Sequence, residues 1–265
     1  MTAQAPQKIN ATKPLYQTVW ITGASSGIGL ALAQLLARSG STVAISARSA
    51  EKLADAAAKN YGSGKLIAYP LDITDQAAVE TTVQKIDADL GGVDLAILNA
   101  GTYTPEMPGT FDIKQIEDQF RTNVFGTTYS LGAILPLMKN RPGAHIAVVA
   151  SVAGYRGLPR AIGYGGTKAA LINMTEAMKL DCDAAGIKLQ LICPGFVKTQ
   201  LTDKNEFPMP FLISTDEAAQ SIMRGLASKQ FEIVFPRPMA IGMKLLQLLP
   251  YRLLFPLLRR ATGAG

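Results

Sequence analysis

Tyr164 and Lys168 stand four residues apart, and Tyr164 follows Ser151 by thirteen positions. On a helix, that spacing puts the phenol and the ammonium one turn apart on the same side. A free tyrosine, with a pKa of about 10, is a poor acid–base group at neutral pH. A neighbouring lysine cation stabilises the phenolate and lowers that value, each pKa unit corresponding to about 1.36 kcal/mol. A serine hydroxyl beside the pair could hold a carbonyl oxygen while the phenol protonates it. Reduction of a carbonyl also needs a hydride source, and Thr22-Gly-Ala-Ser-Ser-Gly-Ile-Gly29 is a segment suited to holding a nucleotide. Taken singly, each part has an ordinary reading as a solvated Tyr–Lys pair, a turn serine or a glycine-rich turn. Their joint presence and order carry the argument.

These residues need a frame. Short β-branched or apolar runs predict strands at Thr18–Thr22, Thr42–Ala47, Leu66–Pro70, Leu95–Asn99, Ile146–Ala150, Lys188–Cys193 and Glu232–Phe235. Longer amphipathic stretches between them predict helices at Ile28–Arg38, Ala50–Asn60, Asp75–Leu90, Ile113–Lys139, Tyr164–Ala185 and Thr215–Ser228. Alternating β and α units imply an α/β fold, a single doubly wound parallel sheet of Rossmann type with helices on both faces. Near-continuous apolar runs such as Ile146-Ala-Val-Val-Ala150 are what strands buried on both faces look like. Ligands of such sheets bind beyond the carboxyl ends of the strands. Gly23, Asn99, Ser151 and Pro194 all follow expected strands, so they should converge on one rim.

Gly23, Gly27 and Gly29, with Ser25, Ser26 and Ile28 between them, join the first strand to the first helix. Glycine permits the tight turn and the close approach of backbone N–H groups to a pyrophosphate, and the helix N-terminus adds a favourable dipole. At the end of the second strand an acidic residue would bind a ribose 2′-hydroxyl and repel a 2′-phosphate. Here the strand ends in Ala47 followed by Arg48, whose guanidinium suits phosphate. The other reading of Arg48 is a cap on a surface turn.

The spacing Gly-x-x-x-Gly-x-Gly, with Ser151, Tyr164 and Lys168, resembles the short-chain dehydrogenase/reductase family over roughly residues 17–200. The resemblance implies an NADP-preferring carbonyl reductase type that uses NADP(H) as cofactor. It implies a catalytic set of Asn123, Ser151, Tyr164 and Lys168, with Asn123 positioning a water in a proton relay. Asp72 with Ile73 matches the family's adenine contact, and Asn99-Ala100-Gly101 the motif that lines the cofactor. Pro194-Gly195 with Val197 and Thr199 matches the segment around the nicotinamide amide. Tyr164 and Lys168 also count among the cofactor-binding residues. Gly165-Gly166, costly in a helix at about 1 kcal/mol each relative to alanine, would let the nicotinamide ribose approach closely.

Residues 200–214 fall where the family places a substrate lid. Phe207, Met209, Phe211 and Leu212 make it apolar, with Tyr155 and Leu158 completing a wall beside Ser151, so a lipophilic small-molecule carbonyl substrate is expected. The same side chains could instead pack against the core or a neighbouring subunit.

Composition narrows the remaining choices. The chain has 265 residues, enough for one large domain, and a mean hydropathy of +0.17. Two cysteines, Cys182 and Cys193, offer neither a disulfide framework nor a metal cluster, which points to a reducing compartment and a cytoplasmic protein. His145 is the only histidine and sits just before an apolar strand, a structural position. Residues 1–14 are polar and read as a disordered leader, 15–236 as the reductase domain and 237–265 as a tail. From Pro236 onward five basic residues meet no acidic one, while the rest of the chain sets 21 basic against 20 acidic residues. A nearly neutral body argues against nucleic acid as a partner. Residues 239–260 are leucine-rich, and Pro250 and Pro256 argue against a spanning helix. Two short amphipathic helices joined at Pro250 could make peripheral contact with an anionic membrane. A contact in a homo-oligomer, or a flap over the site, is an equal alternative. The functional reading is an NADPH-dependent oxidoreductase interconverting a ketone and a secondary alcohol. A non-catalytic NADP-binding regulatory or membrane-associated protein is the alternative.

Overall fold

A computed structural model describes residues 14–106, 109–205 and 207–262. Most of the expected leader lies outside the described residues. The seven apolar runs pair in parallel as β1 (Thr18–Thr22), β2 (Thr42–Ala47), β3 (Lys65–Pro70), β4 (Leu95–Leu98), β5 (His145–Val149), β6 (Lys188–Pro194) and β7 (Glu232–Phe235). Their order across the sheet is β3-β2-β1-β4-β5-β6-β7. No strand departs from its expected bounds by more than one residue at either end.

The helices are α1 (Gly27–Arg38), α2 (Ala50–Ala57), α3 (Gln76–Leu90), α4 (Ile113–Phe120), α5 (Gly126–Met138), α6 (Ile162–Ala184), α7 (Thr215–Leu226), α8 (Arg237–Leu248) and α9 (Tyr251–Thr262). Local chemistry sets several ends. Asp75 caps α3 by accepting from Ala78 N at 3.0 Å, and Gly91 ends it in the left-handed region. Ser214 and Glu217 form a reciprocal capping box on α7. The stretch expected as one helix over Ile113–Lys139 contains a π turn, Arg121–Phe125, between α4 and α5. Periodicity alone does not show such an insertion.

Side chains alternate across the sheet. Val19 and Ile21 of β1 and Val43 and Ile45 of β2 pack with α1, α2 and α7. Trp20, Ala44, Ala96 and Ile146 face the other way, towards α3, α5 and α6. β5 is buried throughout, as a strand covered on both faces must be. α8 contributes Met243 to the second layer, so the tail starts as part of the folded body.

Candidate active site

The sheet brings the ends of β1, β4, β5 and β6 side by side, and these carry Gly23, Asn99, Ser151 and Gly195. The glycine turn is built by close approach. Gly23 and Gly27 have φ of 67° and 57°. A Cβ on Gly23 would lie 2.7 Å from Ala100 Cα, and one on Gly29 would lie 2.5 Å from Gly23 O. Asn99 holds this turn, its Nδ2 donating to Thr22 O at 3.0 Å and Gly23 O at 3.2 Å. Thr22 Oγ1 accepts from Asn99 N and Ala100 N, both at 3.0 Å. Ser26 makes no side-chain cap on α1, which also has no acidic residue in its first turn. The helix therefore keeps its free N–H groups and positive dipole end for an anion. A Cβ on Gly27 would lie 3.3 Å from Thr199 Cγ2, so the segment after β6 closes against the glycine turn. This cradle fits a dinucleotide pyrophosphate.

The other expected cofactor residues vary in placement. Arg48 follows β2 and has no carboxylate partner among the described residues, while Ser49, not Arg48, caps α2. Asp72 accepts from Thr74 N and Oγ1 at 2.9 and 2.8 Å. Ile73 is buried, and a Cβ on Gly126 would lie 2.5 Å from its Cδ1. Any contact of Ile73 with a cofactor therefore falls to its backbone. Val197 is also buried and bridges to Ile213 at the base of the lid.

Tyr164 and Lys168 lie in the first two turns of α6, with Lys168 Nζ 5.7 Å from the Tyr164 ring centroid. Nζ donates to Val149 O at 3.0 Å, where β5 ends. Ser151 accepts from Ala153 N at 3.1 Å and donates to Pro194 O at 3.3 Å. Its approach to α6 requires Gly154, where a Cβ would lie 2.6 Å from the backbone carbon of Lys168. Asn123 sits in the π turn, fully buried, with Oδ1 accepting from Thr102 N at 2.7 Å. Its Nδ2 donates to Thr102 O and Thr167 Oγ1, both at 3.0 Å. A Cβ on Gly101 would stand 3.2 Å from Asn123 Oδ1 and 3.6 Å from Lys168 Nζ. The four expected catalytic side chains thus share one neighbourhood.

The electrostatics differ from the simple expectation that Lys168 depresses the tyrosine pKa. Burial raises Tyr164 to about 12, against a lowering contribution from the Ser151 hydroxyl, and Tyr103 and Cys193 add to the rise. Burial also lowers Lys168 to about 8. Lys168 Nζ donates to the Val149 carbonyl, and burial dominates the pKa of the phenol. A Cβ on Gly165 would lie 3.4 Å from Ala153 O and one on Gly166 3.5 Å from Phe120 Cζ, both ordinary contacts.

Residues missed in the sequence complete the site. The Tyr103 ring packs edge-on against Tyr164 with centroids 5.0 Å apart. Glu106 is 4% exposed, and its carboxylate accepts from Ile162 N at 3.1 Å and Gly163 N at 2.8 Å. It caps α6 from a distant loop, two residues before Tyr164. Gln119 Nε2 donates to the same carboxylate at 3.5 Å. Ala161, at the cap position itself, has no side chain that could do this. That mismatch was the one sequence signal for an external cap.

A profile of the short chain dehydrogenase family matches residues 17–208. The chain belongs to that family. It is 34% identical to an uncharacterized oxidoreductase of Myxococcus xanthus over 236 residues, covering 89% of this chain and 93% of that one. It is 30% identical to rat 17-beta-hydroxysteroid dehydrogenase 13, covering 90% and 81%. A short-chain dehydrogenase from Streptomyces avermitilis superposes with a TM-score of 0.76 at 26% identity, covering 86% of this chain and 91% of that one.

In this short-chain dehydrogenase, the expected substrate wall is only partly assembled. Phe207 stacks obliquely with Phe196 at 6.0 Å, and Met209 Sδ accepts from Asn205 Nδ2 at 3.2 Å. Lys204 Nζ donates to Tyr103 O at 3.0 Å, tying the lid to the ring that backs Tyr164. Phe211 is 55% exposed with φ of 59°. Leu158 packs against the core. Tyr155 is buried and donates to Glu232, which also pairs with Lys244 of α8. Its burial, with the Cys193 and Glu232 neighbours, pushes its pKa far above the phenol range. Tyr155 therefore joins the site loop to the tail and does not line an open wall. His145 lies at the opposite end of β5, with Nδ1 2.7 Å from the Tyr16 hydroxyl. Burial lowers its pKa to about 3, a structural role remote from Ser151.

Proposed function

We propose that the protein interconverts a lipophilic ketone and a secondary alcohol, using NADP(H). The single observation that carries this reading is the placement of Ser151, Tyr164 and Lys168 beside a glycine cradle whose neighbouring strand ends in Arg48 without a carboxylate. A nicotinamide, when bound, supplies hydride to the carbonyl carbon or takes it back. Ser151 Oγ–H, now directed to Pro194 O, would turn to the carbonyl oxygen and orient it. Tyr164 donates its phenolic proton as the oxygen gains charge. Burial keeps the phenol protonated, so the proton is in place for reduction, and the charge of Lys168 must offset the rise to about 12 for the phenol to release it. Lys168, when charged, stabilises the phenolate left behind, and its four-residue spacing keeps it on the same helix face. Asn123 is fixed by Thr102 and Thr167 and keeps that side of the site polar. Arg48 would make charge-assisted hydrogen bonds to a 2′-phosphate. The apolar lid around Phe207 and Met209 favours a lipophilic substrate, in keeping with the hydroxysteroid dehydrogenase name of the rat relative.

The test combines cofactor titration with turnover on a panel of lipophilic ketones. NADPH should bind more tightly than NADH, and Arg48→Ala should remove that preference. Tyr164→Phe should lose roughly 10²–10⁴-fold in turnover while still binding NADPH. Equal affinities in the wild type, or an active Tyr164→Phe protein, would overturn the reading.

A further inference from the structure

Among the described residues, seven of the fifteen exposed large apolar side chains fall within residues 241–257. On α8, Ile241, Leu245 and Leu248 are 61%, 60% and 81% exposed. Their spacing of four and three residues makes one outward stripe, separate from the inward stripe of Met239, Met243 and Leu246. On α9, Tyr251 and Phe255 stack at 5.6 Å while 64% and 60% exposed, and Leu253 and Leu257 are exposed as well. Leu254 between them is 2% exposed, so it marks the inward side of the helix. Arg252, Arg259 and Arg260 gather on the remaining arc of α9.

The charges decide which partner fits. Lys244 is neutralised by Glu232, but Arg237, Arg252, Arg259 and Arg260 have no carboxylate partner among the described residues. No acidic residue occurs after Pro236. A second copy meeting this face about a two-fold axis would set arginine towards arginine with no carboxylate in the segment to offset them. Nucleic acid would accept the arginines but give the leucines and aromatics nothing to enter. An anionic bilayer satisfies both, taking the apolar stripes into the acyl boundary and the cations at its headgroups. No helix among the described residues is long and apolar enough to cross a membrane.

The segment is also clipped to the catalytic side. Arg156, five residues after Ser151, donates to Leu249 O at 2.9 Å and stands 4.6 Å over the Tyr251 ring. Tyr155 reaches the same helices through Glu232 and Lys244. We propose that α8 and α9 form a peripheral docking surface for an anionic lipid bilayer, held beside the loop that follows Ser151 so that the enzyme works at that surface.

Co-sedimentation of the full chain with vesicles of phosphatidylcholine alone, or mixed with phosphatidylglycerol, tests this without any substrate. Binding should require the anionic lipid and weaken at high salt. Arg252→Gln, Arg259→Gln and Arg260→Gln should each weaken it about fivefold, and the triple variant about 100-fold. Leu245→Asp with Phe255→Asp should abolish it, and unchanged NADPH affinity and circular dichroism in these variants would show the fold intact. A full chain that stays in the supernatant at low salt, or that binds both vesicle types equally, overturns the proposal. A lipid-free dimer that Leu245→Asp dissociates assigns the face to a second copy and overturns it too. None of these readouts depends on turnover, so the catalytic reading stands or falls separately.

Discussion

Replacing Lys168 with methionine should make the cofactor-free protein more stable while ending its activity. Lys168 is 4% exposed, and burial lowers its pKa from 10.5 to about 8. Below pH 8 the lysine is charged in both folded and unfolded states, and the folded state bears the full cost of the buried ammonium. That cost is about 3 kcal/mol, from the difference between the two pKa values. Between pH 8 and 10.5 the unfolded chain keeps the proton that the folded one has released, so stability rises with pH. Methionine has a similar shape and no charge, but it leaves Val149 O without its 3.0 Å donor, a loss of about 1 kcal/mol. The net gain at pH 7 is then about 2 kcal/mol, or roughly 5 °C in Tm. Thermal unfolding followed by circular dichroism at pH 7, 8, 9 and 10 would measure it. Above pH 10 the raised Tyr164 works in the opposite direction, with stability lost as pH climbs towards 12, so the window stops there. A variant less stable than wild type at pH 7, or one that keeps the same rise between pH 8 and 10, would refute the reasoning.

Glu106→Gln should remove the charge that caps α6, costing about 1–3 kcal/mol in stability. Because the cap positions Tyr164, kcat should fall about tenfold with KM and NADPH affinity little changed, as steady-state kinetics would show. His145, with its pKa lowered to about 3, should make stability fall by about 1.4 kcal/mol per pH unit as pH drops below 6.5, since the unfolded chain protonates first. Denaturant titrations of wild type and His145→Gln between pH 4 and 7 should show that component only in the wild type. Gly166→Ala should stabilise by about 0.5–1 kcal/mol with turnover retained, because its Cβ would meet only Phe120 at ordinary distance. Gly163→Ala should do the reverse, since its Cβ would lie 2.7 Å from Gln119 Nε2 and 3.1 Å from Glu106 Oε1.

The strands and the glycine turn were legible because their signals are local. A doubly buried strand must be apolar along its length, and a turn with positive φ selects glycine at the turn itself. The candidate catalytic residues expected from the family resemblance fall in one neighbourhood because one helix face carries Tyr164 and Lys168 and a strand end carries Ser151. Glu106 and Tyr103 were not legible. Each acts on α6 across about sixty residues of chain, and neither belongs to a periodic pattern. Tyr155 was misread for a related reason: sequence nearness to Ser151 does not say which way a ring turns, and Glu232 and Cys193 on neighbouring strands decide it.

The π turn at Arg121–Phe125 places one surplus residue inside what would otherwise be a single long helix. Its effect is a phase shift. Gln119 on one side and Leu131, Ile134 and Met138 on the other all point inwards, and they do so only because the surplus residue rotates the two halves relative to each other. Deleting one residue at this turn would restore regular hydrogen bonding and so look harmless by helix propensity. The repaired helix would be turned by about 100° beyond the cut. It could then keep Gln119 on the Glu106 carboxylate or keep Leu131 and Ile134 in the core, but not both. Asn123 stands at the join, so its place in the site depends on an irregularity that a more regular helix would remove.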